Sequence, residues 1–412
     1  MGLFLLTLNM FSLSSSSMKI FLLPSNLLSI FISAVQWYQI TVCVALASVL
    51  SKLFFAQSSV IVVAMFWLSV VVGRPIGAYL FGKYADHYDR MHAVRLSFLL
   101  MFVATFSIML LPTRFSILFV LFTFLQGFAI GGNHNISVMN SGAKGGNKYY
   151  LSSLSLIGFF CGFMASSAVV AIFNLIMQHD LQSGLQGGLA NFAWRIPIFL
   201  SIPMVAIGLI NLNQYKPSQL GKSTLVRIRF NTRIVQSFIL VMIHMIFIYT
   251  VFVFLPNYKI MVVGESAYVV WLYNLLTLTI TALLVPKFAD IAYKYGSLRS
   301  LKLANGLLIA TCALNALVAW DLNTITISIF FAVIMGIVHA SFFGYITMIF
   351  HPSVRGRISS LLVNISASIA ALCVPLMMKI AAASLGLFVS IIAFFAMCSI
   401  VIMRHMKEEW AK

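Results

Sequence analysis

Acidic residues are scarce in this chain, because only eight of its 412 residues are Asp or Glu. Charged residues make up 8% of the sequence, whereas hydrophobic residues make up 61% and the mean hydropathy is +1.03. A soluble domain of this length needs a polar surface that so few charged residues cannot supply. The composition therefore excludes a soluble globular protein and indicates a chain that crosses a membrane.

Patterned cysteines are also missing. The five cysteines all lie within apolar runs, and no two of them form a close pair. This spacing suits neither a zinc site nor a disulfide framework. No nucleophile–base pair or phosphate-binding loop is recognisable either. We therefore expect no metal, no cofactor and no enzymatic activity.

Long apolar runs fill most of the chain. In hydrocarbon the backbone must satisfy its own hydrogen bonds, so continuous runs of about 20 apolar residues predict transmembrane helices. The sequence predicts an all-α integral membrane protein with twelve spans. The predicted spans cover residues 26–51, 58–82, 94–112, 115–141, 149–177, 193–213, 233–256, 266–289, 300–320, 323–349, 357–381 and 384–404.

The net charge of +18 is spread over short loops rather than gathered on one face. A nucleic-acid partner is therefore not expected, because phosphate-tracking surfaces need clustered basic residues. Most of the lysines and arginines fall in alternate loops, which is the positive-inside pattern. This pattern predicts a multi-pass protein of a bacterial inner membrane, with the lipid bilayer as partner and both termini in the cytoplasm.

The first residues do not resemble a targeting segment. Residues 1–17 contain an apolar stretch and a serine run, followed by Met18 and Lys19. They have no basic start and no clear small-residue cleavage site, so a signal peptide is not indicated. We expect Met18 to be the natural start.

The chain divides into two related halves. The segment GKYADHYDR with Asp86 follows span two, and PKFADIAYKYG with Asp290 follows span eight, half a chain later. The longest polar connection, rich in lysine and arginine, separates six spans from six. The predicted division is a cytoplasmic segment 1–25, a six-helix bundle 26–213, a basic linker 214–232, a second six-helix bundle 233–404 and a tail 405–412.

Five motifs resemble one transporter family. They are GRPIGAYLFGKYADHYDR (Gly73–Arg90), QGFAIGGN (Gln126–Asn133), WRIPIFLSIP (Trp194–Pro203), FLPNY (Phe254–Tyr258) and FHPSVRGRISSLLVN (Phe350–Asn364). In this order they resemble the major facilitator superfamily and, within it, the metabolite:H+ symporters that include proline/betaine, α-ketoglutarate and shikimate transporters. The resemblance implies two pseudo-symmetric six-helix bundles and a monomer that moves a small polar solute by alternating access.

The resemblance also implies a cytoplasmic gate. Asp86 is expected to face the N-terminus of span eleven with Arg90 as its partner, and Gly82 to permit close helix packing. The alternative is that Asp86 merely caps the next helix. The predicted gating residues are Gly82, Asp86, Arg90, Asp290, Arg299 and Arg355.

The family's intramembrane acids are replaced here. Gln36 and Gln39 stand where span one of the family has acids, and Asn133 stands for the Glu of its GGE motif. None of the eight acids lies within a predicted span. A histidine could titrate instead, with His134 the first candidate, or each histidine could be a neutral ring bonded to a neighbouring helix. Coupling to protons and uncoupled transport therefore both stay open.

Arg74 is a basic residue within a predicted span. It could contact an anionic solute, or it could anchor the helix by reaching the cytoplasmic interface. Trp37 and Tyr38 could form a cation–π wall for a quaternary ammonium, or they could simply pack. The predicted substrate-binding residues are Gln36, Trp37, Tyr38, Gln39, Arg74, Asn133, His134, His244, Tyr249, His339 and Asn364.

These features predict a secondary transporter of an osmolyte such as proline or betaine, or of an organic acid. Two alternatives remain, an uncoupled facilitator or exchanger and a transport-inactive membrane receptor.

Overall fold

The structure is a computed structural model that describes residues 24–46, 50, 53–55, 59–133, 135, 148–182, 193–214, 232–317, 324–351 and 354–406. Twelve helical spans lie in these ranges, which confirms the predicted all-α fold. The spans are α1 (Pro24–Ala45), α2 (Ser59–His87), α3 (Arg90–Leu110), α4 (Ser116–Gly131), α5 (Lys148–Gln182), α6 (Arg195–Phe199 and Ser201–Gln214), α7 (Thr232–Tyr249, continued through Val263), α8 (Ala267–Tyr295), α9 (Ser297–Leu317), α10 (Thr324–Met348), α11 (Arg355–Ala383) and α12 (Leu385–Arg404).

Most helix ends lie within a few residues of the predicted ones. Helix α2 continues to His87, beyond the predicted end at residue 82. Helix α3 begins directly after Asp89, whose carboxylate accepts a hydrogen bond from the backbone N–H of Met91. The alternative that Asp86 caps this helix is therefore wrong, because Asp89 occupies the cap position. Helix α4 ends at Gly131, before the predicted end at residue 141.

Helix α7 is irregular in its second half. Two π-helical turns, Thr250–Phe254 and Lys259–Val263, flank the short α-helical piece Leu255–Tyr258. Pro256 lies in that piece and cannot donate a backbone hydrogen bond, which disturbs the regular helical ladder. Gly264 then ends the helix in the left-handed conformation, with φ 81°.

The packing repeats six helices later. Helix α1 packs on α5 and α2 packs on α4, just as α7 packs on α11 and α8 on α10. The α3–α4 contact likewise recurs as α9–α10. The structure thus contains two six-helix bundles of the same internal arrangement. The exact bounds of the predicted domains stay a prediction, since most of the linker and both chain ends lie outside the described residues.

Glycine permits the close α1–α5 contact. A Cβ at Gly158 would overlap the carbonyl oxygen of Ile30, and one at Gly162 would overlap that of Ala34. Backbone-to-backbone packing of this kind is typical of helices in membranes, where small residues let helices approach.

Two seams join the bundles. In the polar seam, α2 lies along α11. The side chain of Arg74 on α2 hydrogen-bonds to Asn364 on α11, and that of Ser368 on α11 hydrogen-bonds to the carbonyl of Val71 on α2. In the apolar seam, α5 lies along α8 and α10, and buried hydrophobic residues of α5 merge with the core of the second bundle. Phe160 of α5 there packs edge-on against Phe252 of α7, with ring centroids 5.8 Å apart.

Candidate functional site

Arg74 lies on α2 and connects the two bundles. Its Nε donates to Oδ1 of Asn364 on α11 at 3.2 Å, and its Nη1 donates to the hydroxyl of Tyr249 on α7 at 3.0 Å. The guanidinium carbon lies 5.6 Å from the ring centroid of Trp37 on α1. The structure thus brings four of the predicted substrate-binding residues together. We call Trp37, Arg74, Tyr249 and Asn364 the central cluster.

Arg74 does not reach the cytoplasmic interface, so the structure contradicts anchoring of that kind, while contact with an anionic solute stays a prediction. The residue is 7% exposed, and its guanidinium bonds to the second bundle rather than extending to the interface. Asp86, the next acid along α2, lies twelve residues and roughly 18 Å of helix away. The partners of the cation within the described residues are therefore a neutral amide, a phenol and an aromatic face. A buried cation held in this way favours an anionic ligand.

Gln36 and Asn133, two of the residues that replace family acids, contact each other. Asn133 Nδ2 donates to Gln36 Oε1 at 2.7 Å, and Gln36 Nε2 lies 3.4 Å from the hydroxyl of Ser97. Gln39 Nε2 is 3.4 Å from the hydroxyl of Ser201. All these bonds stay within the first bundle, where they join α1 to α3, to the end of α4 and to α6. Their role in solute binding stays a prediction.

Tyr38 does not share the environment of Trp37. Its hydroxyl donates to the carbonyl of Pro197 at 2.5 Å, and its ring packs in the core with Trp194. Successive residues of a helix point about 100° apart, so Trp37 turns to Arg74 while Tyr38 turns to α6. The predicted cation–π wall of both rings is therefore wrong, and the cation beside Trp37 is the protein's own Arg74.

The histidines have different surroundings. His244 Nδ1 lies 2.7 Å from the carbonyl of Leu240, and its Nε2 lies 3.2 Å from Asn305 Nδ2 on α9. Its ring stacks on Phe342. This is the structural alternative, a buried ring bonded to a neighbouring helix, so His244 does not join the central cluster. His339 lies at the apolar seam, and His134 lies outside the described residues.

The predicted gating residue Asp86 meets the start of α11 where α2 ends. The backbone N–H groups of Gly356 and Arg357 donate to the two carboxylate oxygens of Asp86 at 3.0 and 2.9 Å. These donors are the unpaired first N–H groups of α11, whose partial positive charge complements the carboxylate. A Cβ at Gly82 would lie 2.7 Å from the Cα of Arg357, so this glycine is needed for the close approach. The geometry matches what the resemblance implies, while the gating role stays a prediction.

Three buried arginines surround this contact: Arg90, Arg355 and Arg357. Arg90 begins α3 instead of lying in the loop, and Arg355 Nε donates to the carbonyl of Phe350 at 3.1 Å. In the second bundle Asp290 is half-buried near the end of α8, and Arg299 is exposed on the first turn of α9. Arg299 therefore does not occupy a buried position like that of Arg90.

Sequence reasoning missed some residues of these contacts. Gly356 and Arg357 act through backbone N–H groups, and their signal was the start of a helix within the VRGR segment, residues 354–357. Ser368, whose hydroxyl donates to the carbonyl of Val71 at 2.8 Å, and Phe159, which packs on Trp37 at 4.6 Å, gave no signal among many serines and phenylalanines.

Curated relatives of the chain are transporters. The proline/betaine transporter of Escherichia coli K12 is 30% identical over 195 residues, which are 43% of this chain and 36% of that protein. A putative proline/betaine transporter of Staphylococcus aureus COL is 25% identical over 323 residues, covering 72% of this chain and 67% of that protein. The chain thus matches about a third of the length of the first relative. No family model matches the chain.

Solved structures share the architecture over nearly the full length. The proton:xylose symporter XylE superposes with a TM-score of 0.73 at 14% identity, covering 92% of this chain and 94% of that one. The human organic anion transporter MFSD10 superposes with a TM-score of 0.68 at 12% identity, covering 92% and 99%. At these identities the likeness shows the fold. The chain is thus a multi-pass membrane protein that has the fold of the proton:xylose symporter XylE, a protein of the major facilitator superfamily, and that is similar in sequence to proline/betaine transporters.

Proposed function

We propose that the chain is a secondary transporter that carries a small carboxylate-bearing solute across a bacterial inner membrane by alternating access. The observation that carries the proposal is the central cluster, in which Arg74 of the first bundle is held by Tyr249 and Asn364 of the second. A buried cation between two bundles that can separate is a natural site for an anionic group.

The described geometry corresponds to one state of the transport cycle. The Asp86 contact and the Arg74 bonds hold α2 against α11, which closes the side that we assign to the cytoplasm. Opening that side requires the loss of these bonds. A solute carboxylate at Arg74 replaces the acceptors Asn364 and Tyr249, so that the guanidinium stays satisfied while the bundles rearrange.

The solute class follows from the charge of the site. Proline, betaine and organic acids all carry a carboxylate that the guanidinium of Arg74 could bind in place of Asn364 and Tyr249. The named relatives transport proline and betaine, which makes an osmolyte the first candidate and an organic acid the second. Within the same proposal the protein works as a monomer with both termini in the cytoplasm, and its coupling to protons is open between symport and uncoupled exchange.

A transport-inactive receptor is the second candidate. It is favoured by the amides Gln36 and Asn133, which replace acids of the family and bond to each other instead of titrating. Such a protein would bind solute at Arg74 without completing the cycle.

Reconstitution into proteoliposomes tests the proposal. Labelled proline, glycine betaine and succinate are offered to vesicles loaded with the same unlabelled compound, so that counterflow is seen whether or not protons are coupled. Counterflow of at least one compound supports a transporter. Binding in detergent without counterflow supports the receptor, and the absence of both contradicts a role in handling these solutes.

A further inference from the structure

His339 on α10 lies at the apolar seam between the two bundles. Its ring centroid lies 5.1 Å from that of Phe160 and 6.5 Å from that of Phe159, both on α5 of the first bundle. Phe252 on α7 and Phe343 on α10 close the other sides, at 6.0 and 6.4 Å. The side chain is 1% exposed. The imidazole is thus enclosed by rings that belong to both bundles.

The hydrogen bond of His339 involves Nδ1 and leaves Nε2 as the nitrogen that can accept a proton. Nδ1 lies 2.7 Å from the carbonyl of Met335, and a carbonyl can only accept, so Nδ1 carries hydrogen. In the neutral ring Nε2 then holds a lone pair. This nitrogen becomes a proton acceptor as soon as water can reach it.

Among the described residues, His244 on α7 and Cys161 on α5 are titratable side chains of helices that pack against α10. The charged residues of α8 and α9 lie towards the helix ends: Lys287, Asp290, Lys294, Arg299 and Lys302.

We propose that His339 is the group that binds and releases the transported proton, in place of the acids that this chain lacks. The inference rests on the proposed function, because it requires the bundles to separate. When the apolar seam opens to the outside, water reaches Nε2 and a proton binds there. When the seam opens to the cytoplasm, the same proton leaves and the ring is neutral again. Proton binding is linked to alternation because only the open states hydrate the ring.

His244 provides the matched comparison. It is also fully buried, and its Nδ1 makes the same bond to the carbonyl four residues earlier. Its described contacts with Asn305, Phe247 and Phe342 all lie within the second bundle, so separation of the bundles does not change them. Proton binding at His244 therefore has no link to the transport cycle.

The test uses the full chain in proteoliposomes, with glycine betaine, proline and succinate as probes. Accumulation is driven by an inward proton gradient, and proton entry is followed with a pH dye inside the vesicles. Counterflow without a gradient is measured in parallel as a check that each variant is folded and active. We expect wild type to accumulate a probe with proton entry. His339→Gln is expected to keep counterflow within about threefold but to lose gradient-driven accumulation at least tenfold, together with proton entry.

Other variants supply the results that would overturn the inference. His244→Gln is expected to keep both counterflow and gradient-driven accumulation, and loss of gradient-driven accumulation in this variant would overturn the inference. The same holds if His134→Gln loses coupling while His339→Gln keeps it. If His339→Gln shows no counterflow, His339→Asn is tested in its place under the same criteria. Loss of counterflow in both variants would show that His339 is needed for transport itself and would overturn its assignment as the proton-binding group. Counterflow in wild type without gradient-driven accumulation or proton entry overturns the inference and leaves the proposed function standing, whereas no counterflow in wild type contradicts both.

Discussion

The two seams occupy equivalent places in the pseudo-symmetric fold, yet their chemistry differs. In the polar seam, Arg74, Asp86 and Ser368 make hydrogen bonds between α2 and the second bundle. In the apolar seam, α5 contributes leucines and phenylalanines to one continuous core with the second bundle. Directional bonds are made and broken at defined geometries, whereas apolar contacts depend on packing and tolerate small displacements.

The difference indicates that the two seams have different roles. We expect substitutions in the polar seam to alter transport and the balance between open and closed states while the protein stays folded. Substitutions in the apolar seam are expected to alter stability first. Each prediction below either sharpens this contrast or breaks it.

The largest effect is expected at Arg74. Arg74→Met removes the cation that we propose binds the solute carboxylate; two charge-assisted hydrogen bonds to the solute, each of about 1.5–3 kcal/mol, are then lost, so kcat/KM for uptake should fall by about 100-fold or more. Arg74→Lys keeps the charge without the planar fork and should lose about tenfold. Arg404→Met, which removes an exposed cation at the end of α12, serves as the control and should transport normally. Wild-type uptake in Arg74→Met would exclude Arg74 from the solute site.

Phe160 tests the apolar seam. Phe160→Ala removes a fully buried ring and should destabilise the protein by about 3 kcal/mol, seen as a lower Tm in detergent. Phe394→Ala removes a ring that is 57% exposed on α12, and its Tm should stay near that of wild type. The contrast between the seams fails if Arg74→Met lowers the Tm more than Phe160→Ala does.

The contact of Asp86 with α11 should stabilise the closed state, and its loss should have a smaller effect than the two substitutions above. Asp86→Asn keeps the size but loses the negative charge that two backbone N–H groups of α11 bind, a cost of about 1–2 kcal/mol. The population open at this end should rise by about tenfold. A cysteine at Ser360, one helical turn from both Gly356 and Asn364, reports the opening through its rate of maleimide labelling in a background without the native cysteines. An unchanged labelling rate would show that Asp86 does not hold the gate.

Ser368 should give the smallest effect. Its hydroxyl donates to the carbonyl of Val71 at 2.8 Å, and Ser368→Ala removes this one neutral bond between α2 and α11. Interhelical bonds of this kind in membranes average about 0.6 kcal/mol, so labelling at the gate should change by about threefold or less. A change as large as that of Asp86→Asn would mean that the seam behaves as one cooperative network.

Part of this picture could be predicted from sequence, for reasons visible in single residues. The twelve helices followed from apolar runs, and the contact of Asp86 with the start of α11 was implied by the family resemblance of the motif that contains it. The directions of Tyr38 and His244 could not be predicted, because polar and apolar faces of a membrane helix can both be buried against neighbouring helices, so the pattern does not show which side faces the other bundle. The partners of Arg74 on α7 and α11 depend on packing between residues far apart in the chain.

Central to the account is the movement of the two bundles about the polar seam. Spin labels on Tyr88→Cys and Tyr293→Cys, at positions 70% and 61% exposed at the gate ends of the two bundles, report this movement as a distance distribution from electron paramagnetic resonance. The account predicts a short distance in wild type and a longer one in Gly82→Leu, because the new side chain would collide with the backbone of Arg357. Gly306→Leu should keep the short distance, because the space around Gly306 is open. The same single distance in all three proteins would contradict it.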